Sequence, residues 1–416
     1  MKKVILGTTA LVAASALTVG SASAAEKIKL NVGGYMQTSF VVADYDTDTG
    51  QLPTDVRHEG EVHFTGSTVL DNGLKFGVNI QLEARATGDQ VDETFIFVEG
   101  AFGRVNIGSE NAASYLMHYS SPSPVIGWTL NDSNANASGF GTPATSATEV
   151  SDADKITYFT PRFSGFQLGA SYTPDGDEET GTGASPYAPL KDEGAADEAY
   201  SIGVNYIGKV AGVSVKASAG YDLITRSGVD TATVTAATTT ATHSFTDGTN
   251  TLTNTYVNGA LTSASVTGTA TVVGAVTSVA VSTTVAAATT TTTSDSTEDT
   301  DEFSVGLNLG FEGFVVGAAY KYTDNNDGND DEERHDYNVG VTYGQGPWTV
   351  GVQYAGVELD GAGNGNLDAV VIGGKYILGP GVTAFGGVQY WQGEDDLVGS
   401  EGDDATVFFV GTALSF

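Results

Sequence analysis

The sequence predicts an all-β fold, a sixteen-stranded antiparallel transmembrane β-barrel with short turns at one end and long loops at the other. Three observations carry this. A tight-turn motif entering an alternating strand recurs seven times. Its copies are Asp71-Asn-Gly-Leu-Lys-Phe-Gly, Ala101-Phe-Gly-Arg-Val-Asn-Ile-Gly, Ser164-Gly-Phe-Gln-Leu-Gly, Val210-Ala-Gly-Val-Ser-Val, Phe311-Glu-Gly-Phe-Val-Val-Gly, Gly346-Pro-Trp-Thr-Val-Gly and Gly379-Pro-Gly-Val-Thr-Ala-Phe-Gly. Between consecutive turns the chain leaves on a strand, passes a long polar loop and returns on another strand. The last twelve residues put Phe408, Val410, Thr412, Leu414 and Phe416 on one face at period two, with Gly411, Ala413 and Ser415 opposite. A greasy face backed by small residues suits a sheet with lipid outside and a roomy interior.

Taken in order, residues 1–25 read as a signal peptide. Lys2 and Lys3 form a positive start, Val4 to Val19 an apolar stretch, and Ala22-Ser23-Ala24-Ala25 a cleavage site. The fold then occupies residues 26–416. The expected strands of the first half are Lys27–Val42, Arg57–Leu70, Leu74–Ala86, Glu93–Gly100, Arg104–Ser109, Asp154–Phe163, Phe166–Thr173 and Glu198–Ile207. Those of the second are Val213–Thr225, Asp301–Leu309, Phe314–Thr323, Asp336–Tyr343, Trp348–Leu359, Leu367–Leu378, Val382–Gln392 and Ala405–Phe416. An even number is what closure of an antiparallel barrel needs.

Without Lys2 and Lys3, 15 basic residues stand against 51 acidic ones, a formal net charge of −36. That excludes a nucleic-acid binder, which needs a basic patch for phosphate. Most of the acids lie in loops, at 44–55, 175–197, 295–302, 324–336 and 394–404. Cysteine is absent, so the sheet alone must hold the chain together. No apolar run after the signal is long enough for a helical span.

Alternation separates two faces. Leu74, Phe76, Val78, Ile80 and Leu82 share one side of their strand, and Lys75, Asn79, Gln81, Glu83 and Arg85 the other. A soluble sandwich would show the same alternation. The aromatic residues Tyr158, Phe163, Phe166, Tyr343, Trp348, Tyr376, Trp391 and Phe416 lie near strand ends, as interfacial girdles do. Sixteen strands in two open sheets would also leave long unprotected edges, which a barrel removes.

The loop at 110–153 has chemistry that an ordinary surface loop has no use for. Tyr115, Met117, His118, Tyr119 and Trp128 need protein to pack against, which points to a loop folded into the lumen. By parity Arg57, Lys75, Arg85 and Arg104 face inward from the neighbouring strands. Against them stand Glu59, Glu61, Glu83, Asp132 and Asp152. One reading is a narrow pore with basic groups on one wall, carboxylates opposite and a transverse field between them. The other is that these charges simply pair among themselves.

The runs Val62-His-Phe-Thr-Gly-Ser-Thr-Val-Leu-Asp-Asn-Gly-Leu-Lys-Phe-Gly and Phe95-Ile-Phe-Val-Glu-Gly-Ala-Phe-Gly-Arg-Val-Asn-Ile-Gly-Ser resemble the Gram-negative general diffusion porins, the alphaproteobacterial branch in particular. The resemblance implies a homotrimer in the cell outer membrane, each barrel narrowed by an infolded third loop, here 110–153. It implies basic wall residues, carried onto Arg85 and Arg104, facing loop acids, carried onto Asp132 and Asp152. It also implies that the assembly machinery reads the terminal Phe416. Glu59 and Glu61 depart from the pattern, standing about where basic residues belong, which favours cations.

The stretch 227–300 is almost entirely Thr, Ala, Val and Ser. A disordered extracellular loop is one reading, but its Thr/Val alternation favours extra short hairpins. The five histidines are scattered, and no metal-protease or nucleophile-elbow motif occurs. No enzyme and no resident cofactor are expected, although acidic loops could loosely hold Ca2+ or Mg2+ and bridge lipopolysaccharide. The expected function is a water-filled channel for passive diffusion of small hydrophilic solutes and ions, modestly cation-preferring. A substrate-selective channel and a surface adhesin or structural outer-membrane protein are the alternatives.

Overall fold

The computed structural model describes residues 27–46, 52–84, 91–148, 150–176, 196–226, 229–235, 238–246, 251–257, 260–267, 278–286, 289–295, 298–325, 332–361, 364–394 and 404–416. The signal sequence, Arg85 and much of the acidic loops fall outside them. The chain forms two compact units, Met1–Ser227 with Thr297–Phe416, and Gly228–Ser296.

In chain order the strands are β1 (Asn31–Tyr45), β2 (Thr54–Val69), β3 (Lys75–Glu83), β4 (Val91–Gly100), β5 (Gly103–Ser109), β6 (Asp154–Phe159), β7 (Phe166–Thr173), β8 (Ala196–Val210) and β9 (Val213–Arg226). The second unit supplies β10 (Val229–Thr235), β11 (Thr238–Thr246), β12 (Thr251–Val257), β13 (Ala260–Thr267), β14 (Ser278–Ala286) and β15 (Thr289–Asp295). The first unit resumes with β16 (Thr300–Phe311), β17 (Phe314–Asp324), β18 (Glu333–Gln345), β19 (Trp348–Asp360), β20 (Gly365–Gly379), β21 (Val382–Gly393) and β22 (Asp404–Ser415).

The sixteen strands of the first unit close into one antiparallel barrel, β1–β9 followed by β16–β22. Closure is made by β22 on β1, from Tyr35 opposite Ser415 to Tyr45 opposite Ala405. Beyond that register Gly34 and Phe416 exchange two backbone hydrogen bonds of 3.0 and 3.1 Å. Each of the seven turn motifs joins two adjacent strands. At Ser164–Gly165, Ala211–Gly212 and Glu312–Gly313 both residues have positive φ, 49° and 92°, 50° and 88°, 48° and 88°. That is the twisted two-residue turn that suits a tight hairpin, and glycine bears the larger angle at no steric cost.

Alternation between an outer and an inner face runs along the barrel strands. In β19 Trp348 and Val350 face outward while Gln353 is buried inside. On β4 the apolar pair faces the other way: Phe95 and Phe97 lie inside, 9 % exposed each, and Ile96 between them lies outside, 54 % exposed. Trp391 corrects the expected girdle. It is 0 % exposed, its Nε1 donates to Gln389 Oε1 at 3.0 Å, and it packs against Phe140. The strand's parity sends Tyr390 outward and Trp391 inward, where loop 110–153 fills the lumen.

The apolar core therefore lies inside the barrel, to one side. Val125, Trp128, Leu130, Ala135 and Phe140 of the loop pack on Val357, Leu367, Val371, Phe385, Val407 and Phe409 of β19–β22.

The second unit has a four-stranded sheet in the order β13-β12-β11-β14 and a two-stranded sheet of β10 and β15. Within them β11–β12 and β12–β13 are hairpins of the kind that the Thr/Val alternation favours, while β10–β15 and β11–β14 pair strands distant in the chain. Threonines stand opposite one another in the smaller sheet, Thr231 with Thr293, Thr233 with Thr291 and Thr235 with Thr289. In the larger sheet Ser244 Oγ and Thr253 Oγ1 are hydrogen-bonded at 3.3 Å.

Candidate functional site

Loop 110–153 leaves β5 and returns to β6, its immediate neighbour, yet it contacts the wall most of the way round the bore. A short helix, α1 (Ala113–Met117), opens it. The Ala113 and Ser114 amides donate to Ser171 Oγ on β7 and Ser201 Oγ on β8, at 2.8 and 3.0 Å. Ser114 Oγ donates to Asp222 on β9 at 2.8 Å. The Tyr119 amide reaches Ser218 Oγ at 2.9 Å, Asn308 on β16 donates to Ser120 O at 2.9 Å, and the Ser121 amide donates to Asn338 on β18 at 2.9 Å. Gln353 on β19 holds Ser121 Oγ, Gln389 on β21 holds Trp128 O, and Trp128 Nε1 donates to Ser39 Oγ on β1, at 3.1, 3.1 and 3.2 Å.

The anchors are inward Ser, Asn and Gln side chains and Asp222, each satisfying a loop group that would otherwise be buried unpaired. Small residues make the seat. Gly169, Gly203 and Gly220 stand side by side on β7, β8 and β9, and a Cβ at any of them would press on Met117, Ala113 or Ser114 of α1. A Cβ at Gly306 or Gly340 would collide with the Tyr119 or Pro122 carbonyl.

Opposite this lining, β2–β5 show charged side chains to the lumen. Arg57 pairs with Glu59 at 2.8 Å, donates to Gly127 O at 2.9 Å and lies 4.9 Å from the Trp128 ring centroid. Glu61 accepts from Tyr35 at 2.8 Å and bonds His63 at 2.7 Å, and stands opposite Glu83. Arg104 donates to Asn106 at 2.6 Å and its guanidinium lies 4.0 Å from the Phe97 centroid. Asp132 caps a turn by accepting from the Asn134 amide at 2.9 Å. Burial holds its carboxyl above the usual range, opposed by that amide and by the charge of Arg57.

The structure thus brings Arg57, Glu59, Asp132 and Trp128 together. Lys75 keeps the predicted face but stands beside the turn at 71–73, at the far end of the hairpin from Arg57, paired with Glu99 at 3.5 Å. Asp152 acts electrostatically on Glu93, whereas the acids acting on Arg104 are Glu110 and Glu99. Arg85 lies outside the described residues.

Glu93, Glu99 and Glu110 were not anticipated. Glu93 and Glu99 share parity with inward Phe95 and Phe97, so the apolar pair between them conceals the face. Glu93 accepts from Gln81 and from Asn111. Glu110 accepts from Asn106 at 2.8 Å; burial pushes its carboxyl up, against hydrogen bonds from Asn106 and Thr157 and the charges of Arg104 and Lys155. A lumen cavity of about 630 Å³ is lined by Gln81, Glu93, Arg104, Glu110 and Arg162 among others. A second, of about 750 Å³, is lined by Tyr115, Asp132, Thr142, Lys321 and Arg334.

Behind the loop sits a buried ionic knot. Lys321 bonds Glu302 at 2.9 Å, and Arg334 bonds Asp336 at 2.9 Å and donates to Thr142 O at 2.7 Å. His118 contacts Thr145 Oγ1 at 3.1 Å, and burial, with the charge of Lys321, lowers its pKa to about 4. Among the described residues, carboxylate oxygens of Glu61, Glu83 and Asp92 all lie within 4.8 Å of one another. They could take a hard divalent cation, though Glu61 already holds two hydrogen bonds.

A family model described as Gram-negative porin matches residues 7–280 and 230–396. A monosaccharide porin of Halomonas sp is 28 % identical over 199 residues, 44 % of this chain and 52 % of that protein. The major outer membrane protein of Halomonas elongata matches with the same figures. The chain spans about half the length of these curated relatives. Among solved structures, the anion-selective porin of Comamonas acidovorans has a TM-score of 0.57 at 15 % identity, covering 94 % of this chain and 100 % of that one. In-vitro folded OmpT of Vibrio cholerae has a TM-score of 0.56 at 13 % identity, covering 95 % and 100 %. These likenesses show the fold, a sixteen-stranded outer-membrane barrel. On the family match, the chain belongs to the Gram-negative porins.

Proposed function

We propose that the protein is a passive, water-filled channel for small hydrophilic solutes and ions, modestly cation-preferring, with the strait between loop 110–153 and the inner face of β2–β5. The observation that carries this is the hydrogen-bonded track of the loop from β7 round to β2, opposite a wall that keeps partly exposed charges. On that wall Glu59, Glu61, Glu83, Glu93 and Glu99 outnumber the described bases Arg57, Lys75 and Arg104, and Glu110 and Asp152 add to them. Arg57 and Lys75 are each paired with a glutamate. Charges at a narrow, poorly screened point set selectivity more than exposed loop acids, which salt screens beyond about 8 Å. No catalytic role is proposed. The test is planar-bilayer recording in a KCl gradient: stepwise ohmic currents with a cation-side zero-current potential support the reading, and anion preference overturns it.

A homotrimer is part of the proposal. Exposed Tyr158, Tyr172, Tyr200, Tyr221, Trp348 and Tyr390 ring the outer faces of β6–β9, β19 and β21. Among the described residues, the outer faces of β22 and β1–β5 carry no Tyr or Trp. Tyr and Trp mark contact with lipid headgroups, so that arc is the proposed subunit contact and the rest meets outer-membrane lipid and lipopolysaccharide. Loose Ca2+ or Mg2+ at the acidic loops stays within the proposal, residues 326–331 and 395–403 being outside the described ones. The name of the Halomonas monosaccharide porin keeps a sugar-selective channel as the second reading.

A further inference from the structure

Lys155 is 2 % exposed and stands on β6 opposite Gly108 of β5. Its ammonium donates to the carbonyls of Glu110 and Ala153 and, at 2.9 Å, of Ser151. Glu110 is the first residue after β5, and Ser151 and Ala153 are among the last three before β6. One cation therefore bonds the backbone at both ends of the loop, with a carbonyl for each of its three N–H groups. No other loop anchor described above joins the two ends to each other. Those are Ser, Asn and Gln contacts, with Asp222, Arg57 and Arg334, each fastening one point of the loop to the wall.

The site also has an electrostatic reason to need a cation. Asp152 and Glu110 act as like charges on Glu93, so the loop root gathers carboxylates at one point of the wall. The charge of Lys155 acts on Glu110 in the opposite sense. Without it the root would be pushed apart by its own acids, with the buried Glu110 and Ala153 carbonyls and the part-buried Ser151 carbonyl losing this donor.

We infer that Lys155 is a latch, a positioning residue that ties the two ends of loop 110–153 together and so keeps Glu110 and Asp152 beside Glu93, and Glu110 near Arg104, on the pore wall. The inference rests on the reading of this loop as the strait. A purely structural lysine would change how much barrel assembles and leave the current through each channel alone. A latch sets the current.

The test is single-channel recording on the full-length protein carrying K155M, which keeps the stem and removes charge and donors, beside K155R, which keeps both. K155M is expected to raise conductance roughly 1.5-fold, add open-channel noise and shift the zero-current potential, since a splayed root widens the strait and moves two acids. K155R is expected to stay near wild type. Assembled K155M with wild-type conductance, noise and potential overturns the latch, as does an equal shift in K155R and K155M. If K155M does not assemble, K155Q is judged by the same readings. A W128A control separates the two claims: a change there but not in K155M sinks only the latch, and no change in either sinks the strait as well.

Discussion

The indole of Trp128 lies flat on the ring of Phe409, centroids 4.4 Å apart and planes 5° from parallel, with the Arg57 guanidinium also against the indole. The far end of loop 110–153 is thereby held to β22 and β2 at once. Truncating a buried tryptophan costs about 3–5 kcal/mol, and here the loss falls on the loop tip. W128A is expected to give assembled barrels with larger and noisier single-channel currents. Planar-bilayer recording checks it; unchanged conductance would mean the tip is not what narrows the bore.

Arg104 rests on Phe97 with Glu110 and Glu99 nearby. Replacing it with Ser removes a positive group from a wall already rich in glutamate. The expected outcome is a zero-current potential displaced further toward the cation side, more so in dilute KCl, where screening is weak. A shift toward anions would contradict the proposed strait.

His118, buried within the loop against Thr145, is held neutral, its pKa lowered to about 4 from 6.5. The unfolded loop binds this proton first as pH falls, so docking loses stability from about pH 6.5 down to about 4 and keeps it above. Glu110 and Asp132, whose carboxyls burial raises, act in the opposite sense, since protonation in the acid range relieves their buried charge. H118N should therefore be less sensitive to acid than wild type when conductance and noise are followed from pH 7 to pH 4. Identical pH profiles would show that His118 does not load the loop.

Val410 faces outward on β22, within the arc that lacks Tyr and Trp, and Ile202 faces outward on β8 among the aromatic residues. V410R is expected to turn trimers into monomeric barrels on a seminative gel. I202R, which places Arg in lipid at a cost of about 2–4 kcal/mol near mid-bilayer, should lower the yield but leave surviving trimers intact. Trimers of V410R as heat-resistant as wild type would move the contact elsewhere.

Phe416 directly follows β22 and is paired through its backbone with Gly34. Its deletion should lower the amount of assembled barrel far more than it alters the conductance of channels that survive. Quantitative blotting of outer membranes beside bilayer recording measures both.

The barrel was legible because two local signals agree: period-two alternation and turns with glycine at their second or third residue, each of which joins a pair of neighbours. The site was legible only by face. Parity put Arg57, Lys75 and Arg104 inside, but height follows from distance to a turn, and Lys75 begins β3 right beside one. The roles of Glu110 and Lys155 were hidden because their contact joins opposite ends of a long loop, which neither period nor propensity encodes. Trp391 misled because lumen and lipid both accept an aromatic where the lumen is filled with protein.

The row of Gly169, Gly203 and Gly220 and the bond from Gln389 to Trp128, 261 residues apart in the chain, spread the loop's support over both halves of the sequence. The loop's seat is cut into β7–β9, but its other fastenings are on β21 and β22, the last strands in chain order. Contacts between residues so far apart carry a loop-closure cost that nearby contacts do not. A barrel lacking those strands would hold the loop by one side only, so the narrow bore is a property of the closed ring and of no part of it.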